Sequence, residues 1–529
     1  MGRANVTDMW RIIGLVAGLA ATIFLIGSVR LGQLERGGPD HRDLVLDGGI
    51  PATVYLPGPP RGRAAFLNPP AAEERPPALV LMHGYSGDRR AMSGLARRVA
   101  ASGTAVLAID AAGHGENRNA FRGSDARGNA FDADLRAAVD FLRAWPFVDG
   151  QRIAVGGHSM GGGASLEFAT RDSGLDAVLL ISGGWRLAGP YRPPNALFLY
   201  GERDQDSTRS RVRGLAQQLA PDDVATLGQT YGSHEQRDAL RIVEIAGADH
   251  GSVVWSQQTA DEVVAWLAAS FGEPAGRSAP ADSRAVLLAL LLLAFVLLLP
   301  GLGLVVGRLV PPGPERPAEG RLFGLALLAA ALFATLPLLA GGSPLGALSI
   351  QAGETLVGHF ALAGVALLVI TRLRWPEALV GVAPAPLATC AGAGVGLLAI
   401  LALLQPFAGS LHALLATPER ALVFVFSTLA LLPLALASGA LLRRGGVPAA
   451  TLGALGGRLL VLLVVIVGVR LGVLSRVVMA MVPALAVLSI LLEVLASSLY
   501  ATSRNLLAIA ILDAAWLALV IASIMPLRV

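Results

Sequence analysis

The chain of 529 residues is 54% hydrophobic and only 15% charged, with a mean hydropathy of +0.60. That balance excludes an ordinary water-soluble enzyme as a description of the whole chain and points to a membrane protein. A net charge of +4 gives no reason to invoke nucleic acid, and the single cysteine, Cys390, excludes an intrachain disulfide.

After an N-terminal tail, residues 1–11, the run Ile12 to Val29 has 18 uncharged residues and is just long enough to cross a bilayer. No small-residue cleavage pattern occurs between Gly27 and Glu35, so the run reads as an uncleaved anchor rather than a removed signal peptide. Either reading exports the polypeptide C-terminal to it. Residues 30–44 read as a linker, and the stretch from Arg30 to Ser278 carries most of the charge and six of the eight histidines.

Residues 45–272 alternate short apolar strands with helices. Strands are predicted at Ala78 to Met82, Thr104 to Ile109, Ile153 to Gly156, Ala177 to Ile181, Ala196 to Tyr200 and Leu240 to Ile245. Helices are predicted at Ala91 to Ala101, Ala130 to Ala144 and Ser256 to Ala269, the second amphipathic through Leu135, Val139 and Leu142. Such alternation predicts a mostly parallel sheet with helices on both faces.

Within RIAVGGHSMGGGASLEFA, Ser159 falls between the strand ending at Gly156 and a helix beginning near Gly162. With 62 glycines in the chain, a G-x-S-x-G pattern alone is weak, but a strand-to-helix corner is where a nucleophile elbow must lie. Gly157 and Gly161 are small there because the backbone turns sharply and must leave the hydroxyl clear of the sheet.

After a second linker, 273–285, residues 286–529 form a succession of apolar runs. These are Val286 to Val306, Leu322 to Leu339, Thr355 to Thr371, Ala378 to Leu401, Ala421 to Leu441, Leu452 to Val469, Val477 to Leu499 and Leu506 to Ile524. They predict an all-α transmembrane region of about eight helices. Arg3 and Arg11 before the first span, then Arg308, Arg316 and Arg321, Arg372 and Arg374, Arg443 and Arg444, and Arg504 recur on alternate connections. Positive residues in short loops stay cytoplasmic, so the reading is a multi-pass plasma-membrane protein with residues 45–272 outside the cytoplasm; Arg30, Arg36, Arg470 and Arg476 argue the other way. Glu354 and His359 lie five apart, while Glu493 and Asp513 stand isolated in predicted spans, where an ionisable group suggests function.

The motifs LVLMHGYSG at 79–87, DAAGHGEN at 110–117, GGHSMGG at 156–162, LYGERD at 199–204 and AGADHGS at 246–252 occur in the order found in alpha/beta hydrolases. Over roughly residues 45–272 the chain resembles the serine aminopeptidase, monoglyceride lipase and dienelactone hydrolase-like group of that superfamily. The membrane region is left unassigned to a family.

The resemblance implies Ser159 as nucleophile, Asp204 as acid and His250 as base. The same chain order follows from each residue lying directly after a predicted strand, at one edge of the sheet. Backbone N–H groups of Tyr85 and Met160 are the candidate oxyanion-hole donors, with His83, Gly84, Gly157, His158 and Gly161 shaping the supporting turns. Such a site needs no metal or other cofactor. His83, His114 and His158 come after separate strands and read as hydrogen-bonding turn residues rather than zinc ligands, while His41 and His234 have no assigned role. Asp206, Asp222 and Asp223 are alternative acids near Asp204.

The expected activity is that of a membrane-anchored serine hydrolase acting on a carboxylic ester or related acyl bond, the substrate being a lipid or a peptide. The alternatives are a serine peptidase, an acyltransferase, and an inactive hydrolase-like binding module attached to a membrane transporter or lipid-interacting protein. Two departures from the resemblance concern access. Ser182 to Asn195 is too short for the usual cap helices. The 45 residues between Asp204 and His250, with helices expected at Ser210 to Ala220 and Asp222 to Thr230 and ending in YGSHEQRD, are expected to form a substitute lid or to face the membrane.

Overall fold

The computed structural model describes residues 3–58, 61–121, 129–184, 187, 191–220, 225–274, 278–318, 323–339, 350–351, 353–472, 474 and 476–528. Asp222, Asp223, Arg321 and Leu322, each given a part by the sequence, lie outside the described residues. The chain divides into two compact units. One comprises 1–28, 289–406 and 414–525, and the other 29–288, 407–413 and 526–529.

The second unit is built on a nine-stranded sheet. Its strands are β1 Asp40–Leu46, β2 Ile50–Leu56, β3 Ala78–Met82, β4 Ala105–Ile109, β5 Ile153–His158, β6 Ala177–Ile181, β7 Ala196–Gly201, β8 Thr230–Tyr231 and β9 Leu240–Ile245, in the order 1-2-4-3-5-6-7-9-8. Strands β4, β3, β5, β6, β7 and β9 run parallel, whereas the β1–β2 hairpin and β8 pair antiparallel at the two edges. The six parallel strands are the six runs predicted from the sequence. They are mainly apolar because both faces are covered, with Arg241 and Glu244 of β9 as partly buried exceptions.

Alternate side chains of each strand feed two separate cores. Val80, Leu107 and Val155 pack with Leu135, Leu166 and Val212 from α3 (Asn129–Ala144), α4 (Met160–Ala169) and α5 (Asp206–Leu219). Leu79, Leu81 and Val106 pack on the other face with Leu95, Val99, Val263 and Leu267 from α2 (Ser93–Ala101) and α6 (Gln257–Ser270). Fully burying a Val or Leu side chain stabilises the fold by about 1.5–3 kcal/mol relative to exposure, so these strands bind the layers together.

Two local expectations change. β1 starts at Asp40, inside the stretch read as a linker, and of the segment expected to be helical at 222–230, residues 225–229 are non-helical and Thr230 begins β8.

The first unit is helical. α1 (Arg3–Gly37) enters it, followed by α7 (Arg284–Leu309), α8 (Phe323–Leu339), α9 (Gly353–Arg374), α10 (Pro386–Ser410), α11 (Pro418–Leu442), α12 (Val447–Arg470), α13 (Arg476–Ser503) and α14 (Leu506–Ile524). Among the described residues, eight helices are long and apolar enough to cross a membrane, and Phe323–Pro337 is a shorter apolar one. These helices support a multi-pass membrane protein. The run predicted from Ala378 begins later, at Pro386, because a 3-10 turn at Pro376–Leu379 and positive φ at Gly381 and Ala385 interrupt it. The expected isolation of Glu493 and Asp513 is not observed. Arg443, just past α11, makes a bidentate pair with Glu493 at 2.6 and 2.7 Å, and Arg458 of α12 reaches both Glu493 at 3.2 Å and Asp513 at 2.7 Å.

Candidate active site

Ser159 sits between β5 and α4 with φ 52° and ψ −109°, a backbone conformation that costs a non-glycine residue on the order of 1–3 kcal/mol. The surroundings hold it there. Ser159 N donates to the Ile181 carbonyl at 2.8 Å, and Gly163 N donates to the Ser159 carbonyl at 3.0 Å. A Cβ at Gly157 or at Gly161 would strike the Met82 carbonyl oxygen, and one at Gly84 would lie 2.8 Å from His158 Nδ1 and 3.3 Å from Ser159 Cβ. Gly183, which the sequence reading did not single out, is equally confined, since a Cβ there would collide with the Ser159 carbonyl.

His250 comes after β9 and Asp204 after β7, so both arrive at the carboxyl edge of the sheet beside Ser159. His250 Nε2 lies 3.0 Å from Ser159 Oγ, and His250 Nδ1 lies 3.0 Å from Asp204 Oδ1. A carboxylate at Nδ1 requires a proton there, which leaves Nε2 as the acceptor for the serine hydroxyl. The Asp204 side chain is fully buried, whereas that of His250 is 41% exposed. Burial pushes the Asp204 carboxyl upward, but the His250 ring and the Gln205 amide, 2.9 Å away, outweigh it and hold the group below the usual carboxylate range. Asp206 points elsewhere: it opens α5, is 90% exposed and pairs with Arg209.

Two further groups set the His250 turn. Asp249 Oδ1 accepts from the backbone amides of Gly251 at 3.0 Å and Ser252 at 2.8 Å. His158 Nε2 donates to the His250 carbonyl at 2.7 Å. Burial, reinforced by the neighbouring His250, lowers the His158 imidazole to about 4, so it stays neutral near pH 7. His158 thereby meets His250 through the backbone; the sequence placed His158 in a supporting turn without giving this partner.

The loop after β3 is stapled by His83, whose Nδ1 donates to the Gly84 carbonyl at 2.7 Å while Nε2 accepts from Ala111 N at 3.0 Å. Behind it, buried Asp110 accepts from Arg89 Nη1 at 2.5 Å, Arg89 N at 2.8 Å and Glu116 N at 2.9 Å, tying this loop to the one after β4. Tyr85 packs edge-on against His114 and Phe121, and burial raises its hydroxyl to about 12. Met160 is the first residue of α4, where backbone N–H groups have no intrahelical acceptor and the helix dipole favours negative charge.

The family described as serine aminopeptidase, S33, matches residues 73–222, which include Ser159 and Asp204 and end before His250. The quorum-quenching protein AidA of Acinetobacter baumannii is 32% identical over 118 residues, covering 22% of this chain and 38% of that protein. Cutinase est1 of Thermobifida alba is 30% identical over 121 residues, covering 22% of this chain and 37% of its own length. The chain therefore spans about two fifths of the length of these curated relatives. A solved esterase of Pyrobaculum calidifontis, 20% identical, aligns with 48% of this chain and 92% of its own at a TM-score of 0.31.

The sheet-containing unit carries an alpha/beta hydrolase superfamily domain with esterase and peptidase homology.

In this hydrolase domain the described residues of the insertion between Asp204 and His250 do not form the expected lid. α5 buries Val212, Leu215 and Ala216 against the sheet, and Arg213 Nε donates to the Tyr200 hydroxyl at 2.6 Å. YGSHEQRD docks at the amino edge of the sheet, opposite Ser159: Arg237 pairs with Asp176 at 2.5 Å, just before β6, and His234 packs on Trp266 and meets Ser270 Oγ at 3.0 Å. His234 thus has a structural position. His41 does too, stacked on Tyr55 and accepting from Arg97 Nη2 at 3.3 Å.

Proposed function

We propose that the hydrolase domain is a serine hydrolase in which Ser159 attacks an acyl carbonyl, His250 shuttles the proton and Asp204 orients His250. The observation that carries this reading is the unbroken line from Ser159 Oγ to His250 Nε2 to Asp204 Oδ1, with both steps at 3.0 Å. As the Oγ–carbon bond forms, the hydroxyl proton passes to His250 Nε2 and the carbonyl electrons move onto oxygen. The backbone N–H groups of Tyr85 and Met160 receive that oxyanion. His250 then gives its proton to the departing alkoxide or amine, and the acyl group remains on Ser159. Water repeats the sequence: His250 takes its proton, the hydroxide adds, and a carboxylic acid leaves with Ser159 restored. Asp204 remains ionised throughout and stabilises the imidazolium.

A carboxylic ester is the favoured substrate class, supported by the likeness to cutinases. Peptide hydrolysis is the second reading, favoured by the serine aminopeptidase match across 73–222. The arginines on alternate connections support a hydrolase domain outside the cytoplasm, where its substrates are lipids, envelope components or exported peptides. The test is reaction of the purified full chain with a fluorophosphonate. One label at Ser159, lost in Ser159→Ala together with small-ester turnover, is expected; a folded wild-type protein that takes no label defeats the assignment.

A further inference from the structure

The helical unit contains a cavity of about 140 Å³ between α8, α9, α11, α12, α13 and α14. Leucine and alanine side chains such as Leu431, Leu462 and Ala514 form most of its wall, while Arg443, Arg458 and Asp513 bring charge to it. A water molecule needs only about 10–15 Å³ on the same scale, so the space admits a small organic molecule. An apolar wall joined to a charged patch selects an amphiphile.

The charges themselves narrow the choice. Arg443 is locked to Glu493 by two hydrogen bonds, and Glu493 also accepts from Ser497 Oγ at 2.7 Å, so the Glu493 carboxylate is fully engaged. The other half is a single contact, Arg458 Nη2 to Asp513 Oδ2 at 2.7 Å, supplemented by Arg458 Nε to Glu493 at 3.2 Å. A guanidinium has five N–H donors in a planar fork suited to carboxylates. Two arginines against Glu493 and Asp513 sum to zero. In a low-dielectric setting a ligand that left a net charge behind would be strongly disfavoured, so an entering anion must bring its own proton.

We propose that this cavity binds a single-chain carboxylic acid in its protonated form, which hands its proton to Asp513 and takes that residue's place on Arg458. The proton moves from the ligand oxygen to Asp513, the ligand carboxylate pairs with Arg458, and the sum over Arg443, Arg458, Glu493, Asp513 and ligand stays zero. Those four side chains are the charged groups that face one another here, from α12, α13, α14 and the end of α11. The inference stands on the helical unit and is independent of the catalytic reading, although a carboxylic acid is also what acyl hydrolysis releases.

The test is equilibrium binding of radiolabelled octanoic acid to the purified full chain in lipid nanodiscs at pH 5 and pH 8. Saturable binding near one per chain is expected, tighter by tenfold or more at pH 5, where more of the ligand is protonated. Arg458→Gln should weaken it at least tenfold. Asp513→Asn, which leaves the cluster with one positive charge in excess, should retain binding and lose the preference for low pH. Ala514→Leu should reduce binding by filling the apolar part without touching a charge, so the proposal stays open to refutation if Arg458→Gln aggregates. Ser159→Ala should bind like wild type, which separates this site from the hydrolase domain. Absence of saturable binding, equal binding of octylamine, or an Asp513→Asn protein with unchanged pH preference overturns the proposal.

Discussion

His158 donates from Nε2 to the backbone carbonyl of His250 at 2.7 Å, so the residue preceding Ser159 holds the turn that carries its hydrogen-bonding partner. Replacing it by leucine removes the donor and releases His250. His158→Leu is expected to lower kcat for a small ester roughly tenfold with little change in KM, as loosened positioning of a reacting group does. His158→Gln, which keeps an N–H donor, should recover part of the loss. Steady-state kinetics on the three proteins distinguishes these outcomes, and equal rates in all of them would remove His158 from the site.

Asp204 and Asp206 make a second comparison. Asp204 is buried against His250, while Asp206 lies in solvent with Arg209. Asp204→Asn should reduce turnover on the order of 10⁴-fold by presenting the wrong imidazole tautomer, as in protease triads. Asp206→Asn should change it less than about twofold, as expected of an exposed pair. A reversed order, measured at saturating ester, would reassign the acid.

The pH dependence of stability turns on Asp134, which burial raises to about 7 although Ala112 N donates to it at 2.7 Å. Its folded-state value lies above the unfolded one near 4. The native state therefore binds the extra proton between about pH 4 and pH 7, and this contribution, full below pH 4, is lost as pH rises through 7. The loss is on the order of 4 kcal/mol. Asp134→Asn should unfold slightly above the wild-type temperature at pH 5, where the loss has begun, and by a clearly larger margin at pH 8. His158, lowered to about 4, acts in the opposite sense from pH 6.5 downward, so the diagnostic quantity is the difference between the two proteins. A constant difference across pH would discard Asp134 as its source.

Topology is tested with single cysteines at Glu73 and Ala318 in a Cys390→Ala background, treated in intact cells with a membrane-impermeant thiol reagent. Labelling at position 73 and protection at 318 is the expected pattern. The opposite pattern puts the hydrolase domain in the cytoplasm and withdraws envelope substrates. Two of the basic residues behind this expectation do more than mark a loop, since Arg316 donates to the Ala378 carbonyl at 2.6 Å and Arg443 is buried on Glu493.

The six parallel strands are legible because each is a short, mainly apolar run, and the corner at Ser159 is legible because its neighbours on either side must be small. The edge strands are not. Asp40–Leu46 alternates weakly and stays largely exposed, so nothing local separates it from a linker until Ile50–Leu56 pairs with it. The position of YGSHEQRD depends on which end of the sheet receives it, a property of chain path rather than of residue type. Asp249 and Gly183 escaped notice for the same reason: their partners belong to a turn and to a neighbouring strand end.

The charged cluster also has an order of manufacture. Arg443 precedes Glu493 by 50 residues, and Arg458 precedes Asp513 by 55. At synthesis rates of about 5–20 residues per second, the arginines wait roughly 2–10 s for their counterions. During that interval α12 carries an unmatched cation, a burden of about 2.5–3.5 kcal/mol at the centre of a span on insertion scales. Its settled position therefore depends on helices not yet made, and a chain halted before Glu493 leaves Arg458 without either of its carboxylates.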